Sequence, residues 1–472
     1  MKKIYFLLCF IGFSTSLFVD ANESIWYSNK DISNQIHSIP NGYLDGSLND
    51  PCGSISYDKP LSLIEVTEAA LCNNPQTKQV YATAKVQLAQ VGVAESAYFP
   101  SITNTSTYNG NNANPGPRIN PYTNFTNKFV ASYLLYDFGS RDAYLENANQ
   151  LLKAATATQD ATVQTVLLAA VNAFYQVQAN KALVTASLES ERLNEESFKA
   201  ADAKYMAGTA TPADKLQAQT AYANAKLTRL QNEGALKIAY GNLANVMGIP
   251  SNQSLEVNEG AHEDIIDNVD QDIEALIEQA RHQRPDLIAS EAQLKASLAK
   301  IEGAKADSKP TISFNLSNTH SGDSNTSYIN TSSAGVSVVI PLFGGYKPTY
   351  LIRSAEATAE LNASQRDQLK LQVSSDVWTA YQNLKTANAS IEASRILLLS
   401  AQQSSDMALG RYKEGVGNII DTLNAQSALA SAKQQKIQST LNWNIARATL
   451  AQSIGVLDNA MIQSLPEAHR KP

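Results

Sequence analysis

The feature that most constrains this chain is that it repeats itself. Asn74-Pro75 recurs as Arg284-Pro285, and Pro100-Ser101-Ile102 as Pro310-Thr311-Ile312, both at an offset of 210 residues. Phe138-Gly139 returns as Phe343-Gly344 at 205, and Tyr205-Met206-Ala207-Gly208 as Tyr412-Lys413-Glu414-Gly415 at 207. Asp214 then falls on Asp421 and Gly248 on Gly455. Landmarks in one order within so narrow a spread of offsets mark an internal duplication, so the fold must be built from two related halves.

Each half reads helix, strand pair, very long helix, turn, helix. No Gly or Pro interrupts Ser140 to Ala207, 68 residues, or Thr349 to Leu409, 61 residues. At 1.5 Å per residue the first would reach about 100 Å. Helices of that length need apolar neighbours along their course, as in a coiled coil or helical tube. Val373, Val377, Ala380, Leu384, Ala387, Ile391, Ser394, Leu398, Ala401, Ser405, Ala408 and Tyr412 alternate by four and three, the spacing of a left-handed seam. Val163, Leu167, Ala170, Phe174, Val177, Val184 and Leu188 keep the same register in the first half, interrupted by Lys181. Small seam residues allow close helix packing, while the polar remainder asks for water on another face. This suits the wall of a hollow tube, and an elongated coiled coil without a channel is the alternative.

Between the helices lie runs of alternating character. Ile312, Phe314 and Leu316 alternate with polar neighbours, as do Val336, Val338 and Ile340. Ser101 to Tyr108 and Phe125 to Tyr136 are the first-half counterparts. Strands are expected at about 100–108, 125–137, 310–318 and 333–342. The runs have about the ten-residue length of a tilted membrane strand. The connections Asn109–Asn124 and Asn318–Ser333 are rich in Asn, Gly, Ser, Thr and Pro and suit exposed loops. No apolar run long enough for a membrane helix follows the first segment, so a membrane-spanning part would have to be a closed barrel. Four strands cannot close one, since the smallest membrane barrels need about eight. Several copies would have to share the wall, in closed rotational symmetry. A small water-soluble sheet packed on the helices is the competing reading.

Composition narrows the function classes. Charged residues make up 17% of the 472, the net charge is −7, and no dense Lys/Arg stripe occurs, which disfavours nucleic acid. The five histidines, His37, His262, His282, His320 and His469, show no metal-ligand spacing. No phosphate-binding glycine loop or nucleophile elbow is present, so neither an enzyme nor a cofactor or metal site is expected.

Lys2 and Lys3, the apolar stretch Ile4 to Phe13 and Val19-Asp20-Ala21 have the layout of a secretory signal. Its removal would take Cys9 and leave Cys52 and Cys72 in an oxidising compartment. A disulfide between them would stabilise by about 3 kcal/mol in the chain-entropy model, two unpaired buried thiols being the alternative. The chain is thus read as a signal peptide (1–21), an N-terminal extension (22–60) and a first repeat (61–254). An equatorial inter-repeat segment (255–283), a second repeat (284–455) and a tail (456–472) follow.

With the signal peptide, the duplication, the strand pairs and the Tyr-x-x-Gly turns in hand, the sequence resembles the TolC-type outer-membrane efflux and secretion proteins. The resemblance is most specific in the segment Tyr412 to Gln426, with Tyr205 to Gln219 as its degenerate partner. It implies a mainly α protein with a membrane β-barrel part. In such a homotrimer a twelve-stranded barrel in outer-membrane lipid continues into a twelve-helix α-barrel tunnel in the periplasm. The implied function is a passive exit duct in a Gram-negative outer membrane, serving a tripartite efflux pump or a type I protein secretion system. Its implied partners are a periplasmic adaptor (membrane fusion protein) and an inner-membrane pump of RND or ABC type. A periplasmic or surface coiled-coil scaffold or adhesin without a pore is the alternative function.

The resemblance also assigns roles at the turns. Asp421 is implied as the selectivity ring of the tunnel entrance. Asp214, Tyr412, Tyr205 and Asn424 are implied as gate or latch residues, with Gly208, Gly415 and Gly417 as turn glycines. The sequence departs from the family pattern at Asn424, where a second ring acid often stands, and at Gly417, where a basic gate residue often stands. Those departures imply a weaker charge ring and a looser latch.

Overall fold

The computed structural model describes residues 59–113, 120–258, 272–324 and 327–463. The expected signal peptide, Cys52, almost all of the N-terminal extension and most of the expected tail lie outside these residues. Cys72 is disulfide-bonded.

The first half runs α1 (Leu63–Asn73), α2 (Pro75–Ser96), β1 (Ser101–Ala113), β2 (Asn120–Tyr136), α3 (Ser140–Met206) and α4 (Pro212–Val246). The second repeats the order: α5 (Ile273–Gln283), α6 (Pro285–Ala306), β3 (Thr311–Asp323), β4 (Ile329–Val339), α7 (Lys347–Lys413) and α8 (Ile419–Ile454). A short α9 (Asn459–Gln463) follows. The α1/α2 and α5/α6 breaks have one cause. Pro75 and Pro285 open their helices, and a proline drives the preceding residue out of the helical region. Asn74 (ψ 129°) and Arg284 (ψ 121°) are accordingly extended.

α3 and α7 are each 67 residues long and unbroken. α7 extends past the stretch expected from the sequence at both ends, because Pro348 sits in its first turn, where its missing N–H costs nothing, and Gly410 is tolerated inside. The α7 seam is buried throughout except at Leu398 and Ala408, which are half-buried. In α3 the buried stripe does not continue to Leu188, which is 49% exposed. Below Val177 it passes instead through Asn180, Ser187, Asn194 and Ala201, offset by three residues. A three-residue slip overwinds a helical seam locally, and it falls where Lys181 leaves the seam to donate to the Val257 carbonyl at 3.2 Å.

The helices form a ribbon. In one part α3 lies between α2 and α6, and α6 packs on α7; in the other α3 lies between α4 and α8, and α8 packs on α7. Two continuous helices thus alternate with two stacked pairs, α2 with α4 and α6 with α8. The stacking joints are tight. Gly248, just past α4, has φ +71°, and a Cβ there would lie 2.6 Å from the Asn73 carbonyl carbon. Gly455, just past α8, has φ +89°, and its Cβ would lie 2.9 Å from the Arg284 Cα. The landmarks Asn74-Pro75 with Gly248, and Arg284-Pro285 with Gly455, are therefore the two sides of equivalent joints. Around this equator α1, Leu255 and Val257 complete one apolar core with α3 and α4, while α5 builds a second with α7 and α8.

The strands form one antiparallel sheet in the order β1-β2-β3-β4, so β2 with β3 joins the halves. β1 runs to Ala113 and β2 starts at Asn120, both beyond the alternating runs, because backbone pairing continues where side-chain alternation has stopped. Paired residues share a face. One face carries Ile102, Phe129, Ala131, Tyr133, Phe314, Leu316, Val336 and Val338; the other carries Thr103, Thr105, Ser132, Ser313, Asn315, Ser317, Ser333 and Ser337. The polar face is knitted by Ser132 Oγ to Asn315 Oδ1 (2.9 Å), Asn315 Nδ2 to Ser337 Oγ (3.0 Å) and Ser317 to Ser333 (2.8 Å).

Candidate functional site: the hairpin tips

At the end remote from the sheet, α3 turns into α4 and α7 into α8, and these two tips lie side by side. Both turns are built alike. Gly208 (φ +77°) and Gly415 (φ +79°) take the left-handed conformation that closes a helix C-terminus. Thr209 N donates to Lys204 O and Val416 N to Arg411 O, each at 2.9 to 3.0 Å. Gly417 answers to space rather than to φ, since a Cβ there would sit 3.1 Å from the Tyr412 nitrogen.

The new helices start with side-chain caps. Thr211 Oγ1 accepts from Asp214 N (3.2 Å), and the Asp214 carboxylate accepts from Thr211 N (2.9 Å) and Oγ1 (2.8 Å), a reciprocal capping box. Those hydrogen bonds, the backbone one first, hold the Asp214 carboxyl below the usual carboxylate range. On α8, Asn418 Oδ1 accepts from Asp421 N at 2.7 Å. Asp421 and Asn424 lie on the exposed side of this first turn, while Ile419, Thr422 and Gln426 are buried.

Tyr412 is the central side chain, 4% exposed and packed with Ala201, Ala218 and Ile419. Its hydroxyl is buried without a hydrogen-bond partner among the described residues. Burial, and secondarily the Asp214 carboxylate, raise its pKa. Asp214 and Tyr412 therefore interact electrostatically, while the Asp214 carboxylate is hydrogen-bonded within its own helix cap. Tyr205 is partly exposed, with the Lys215 ammonium 5.3 Å from its ring centroid.

The polar bonds that do cross between the hairpins bring in Lys204 and Ser197, which the sequence alone does not single out. Lys204 Nζ donates to the Tyr412 carbonyl and lies 4.0 Å from the centroid of the Tyr412 ring. An ammonium there neutralises the negative end of α7 from a neighbouring helix and adds a cation–π contact. Deeper in, Gln426 Nε2 donates to Ser197 Oγ at 2.8 Å, joining α8 to α3 in a buried pair. The one signal for Lys204 is a basic residue in a helix's last turn, a feature α7 shares in Arg411 and Lys413. Among the described residues no group of His, Cys, Asp or Glu could hold a metal ion.

The model of the family described as outer membrane efflux protein matches residues 66–249 and again 276–456. Protein CyaE of Bordetella pertussis is 29% identical over 412 residues, covering 86% of each chain. Outer membrane protein TolC of Vibrio cholerae is 24% identical, over 84% of this chain and 91% of its own. Among solved structures, the Campylobacter jejuni CmeC outer membrane channel superposes with a TM-score of 0.75 at 16% identity, covering 88% of this chain and 95% of that one.

Proposed function

Because this chain belongs to the outer membrane efflux protein family, acting as an exit duct of the Gram-negative outer membrane, we propose that three copies close the duct as one continuous tube. The observation that carries this reading is that both layers of the molecule are open ribbons. The sheet ends in the unpaired edges β1 and β4, and the helical layer ends in α2/α4 on one side and α7 on the other. Each helical edge exposes large apolar side chains: Leu216, Leu227, Leu230 and Ile238 on α4, and Ile396, Leu399 and Met407 on α7. Joining β4 to the next copy's β1, and α7 to the next copy's α4, removes every edge at once. Twelve strands would then face lipid with the Phe129, Tyr133, Phe314 and Val336 side, and the Thr, Ser and Asn side would line the lumen.

In this assembly the helices form a periplasmic tunnel, and the hairpin tips are its closable entrance. They would meet a periplasmic adaptor and, through it, an inner-membrane pump, which sets the cargo. The exposed Asp421 carboxylates would ring the entrance and favour cations. Lys204 on Tyr412 supplies the cross-hairpin bond that Gly417 cannot.

The test is conductance of the purified protein in planar bilayers, with its mass in detergent. Pores from a particle of three chains, whose preference for cations falls in Asp421→Ala, are expected. A non-conducting monomer would sink the channel assembly, and an unchanged ion preference in the variant would remove Asp421 from the entrance ring.

A further inference from the structure

The polar face of the sheet is almost without charge. Among its described strand residues, Thr, Ser and Asn dominate, and two charged side chains stand out. Asp323 lies at the far tip of β3, opposite Asn124. Lys128 lies in the middle of β2, paired with Thr105 on β1 and Thr319 on β3, and Thr319 pairs in turn with Thr331 on β4. The bulge in β2 falls at Leu134/Tyr136, beyond Lys128, so the alternation that places Lys128 with Ser132 is not interrupted between them. Lys128 is exposed, and it makes no ion pair among the described residues. Asn124, which faces Asp323, is four residues away along the strand, about 13 Å at the usual strand rise. A lysine on the opposite, apolar face would cost about 2 to 4 kcal/mol at the midplane of a bilayer, so its placement on the hydroxyl-lined side is physically consistent.

We infer that Lys128, one from each copy, forms a ring of ammonium groups inside the barrel that attracts anions and anionic stretches of cargo at the exit. This rests on the closed tube proposed above. The ring has the opposite sign to the Asp421 carboxylates at the far end of the tunnel, so it opposes cation preference. Its reach is set by screening. At physiological salt the field extends about 8 Å, and the ring acts on what passes along the wall; at 0.01 M it extends about 30 Å, enough to act on small ions in the lumen.

Reversal potentials across bilayers in dilute KCl gradients test this. Lys128→Gln is expected to raise the cation-over-anion permeability ratio about twofold, and Lys128→Glu to raise it further, with the differences collapsing near 1 M salt as screening shortens. In Lys128→Cys, a membrane-impermeant anionic thiol reagent should shift selectivity as Glu does, and a cationic one should restore the original value. Pores whose dilute-salt selectivity is the same with Lys, Gln and Glu at this position would overturn the inference while leaving the tube intact. Absence of pores from the unaltered protein would overturn the tube itself, and this inference with it.

Discussion

α4 and α8 each end twice, once at the hairpin tip and once at the equator, and the two ends are held in opposite ways. At the equator Gly248 and Gly455 press onto the backbone of another helix pair, leaving no room for a methyl group. Asn74 Nδ2 adds a hydrogen bond to the Val246 carbonyl there at 2.9 Å. At the tip Gly208 and Gly415 have the same positive φ but open space around them. The tip helices are capped by their own Thr211 and Asn418 and are tied across by a lysine and a buried Gln–Ser pair. One end is a joint packed against the backbone of another helix pair; the other combines local caps with a small buried cluster around Tyr412.

The comparison fails most visibly if the glycines are interchangeable. Gly248→Ala and Gly455→Ala combine a left-handed penalty of about 1 kcal/mol or more with backbone overlap of about 1–3 kcal/mol. Gly415→Ala carries the first alone. Thermal or denaturant unfolding in detergent should therefore rank the equatorial variants well below the tip variant, and equal losses would erase the distinction between joint and tip.

Lys204→Met sharpens it from the other side. Removing a charge-assisted hydrogen bond of about 1.5 kcal/mol is expected to raise the open probability of single channels about tenfold. The melting temperature should barely change, because the core is untouched. A variant that melts early but gates normally would place Lys204 in the scaffold instead.

The smallest effect concerns pH. The Asp214 pKa is depressed, so its capping contribution is full above the unfolded value of about 3.9 and is lost as pH falls through the lower folded value. Thr211→Ala should cost about 1 kcal/mol at neutral pH, read as faster hydrogen exchange in the first turn of α4. That difference should shrink below about pH 4, whereas the equatorial joint at Gly248 should show no such dependence.

Much of this architecture is legible in the residues themselves. The Asn74-Pro75 and Arg284-Pro285 breaks, the long helices and the turn glycines are written in residues that act locally, through φ, a missing N–H or apolar spacing. The strand faces follow from alternation. The slip in the α3 seam is not legible, because Leu188 has the right spacing and is left exposed by a change of neighbours. The Asp214 carboxylate is satisfied three residues away by Thr211, in a capping box formed within the helix's own first turn. Lys204 escapes notice for the converse reason: its role depends on which side of α3 meets the end of α7.

The sequence by itself determined the duplication, the lengths of the helices and the two-faced character of the strands, since each is encoded within a few residues of where it acts. Only the tertiary structure decided that β2 pairs with β3, that each half's glycine closes on that half's proline break, and which lysine reaches across the tips. Those are choices among distant partners of similar local character. A repeat or a period says what kind of neighbour a residue needs, and packing alone selects which neighbour it gets.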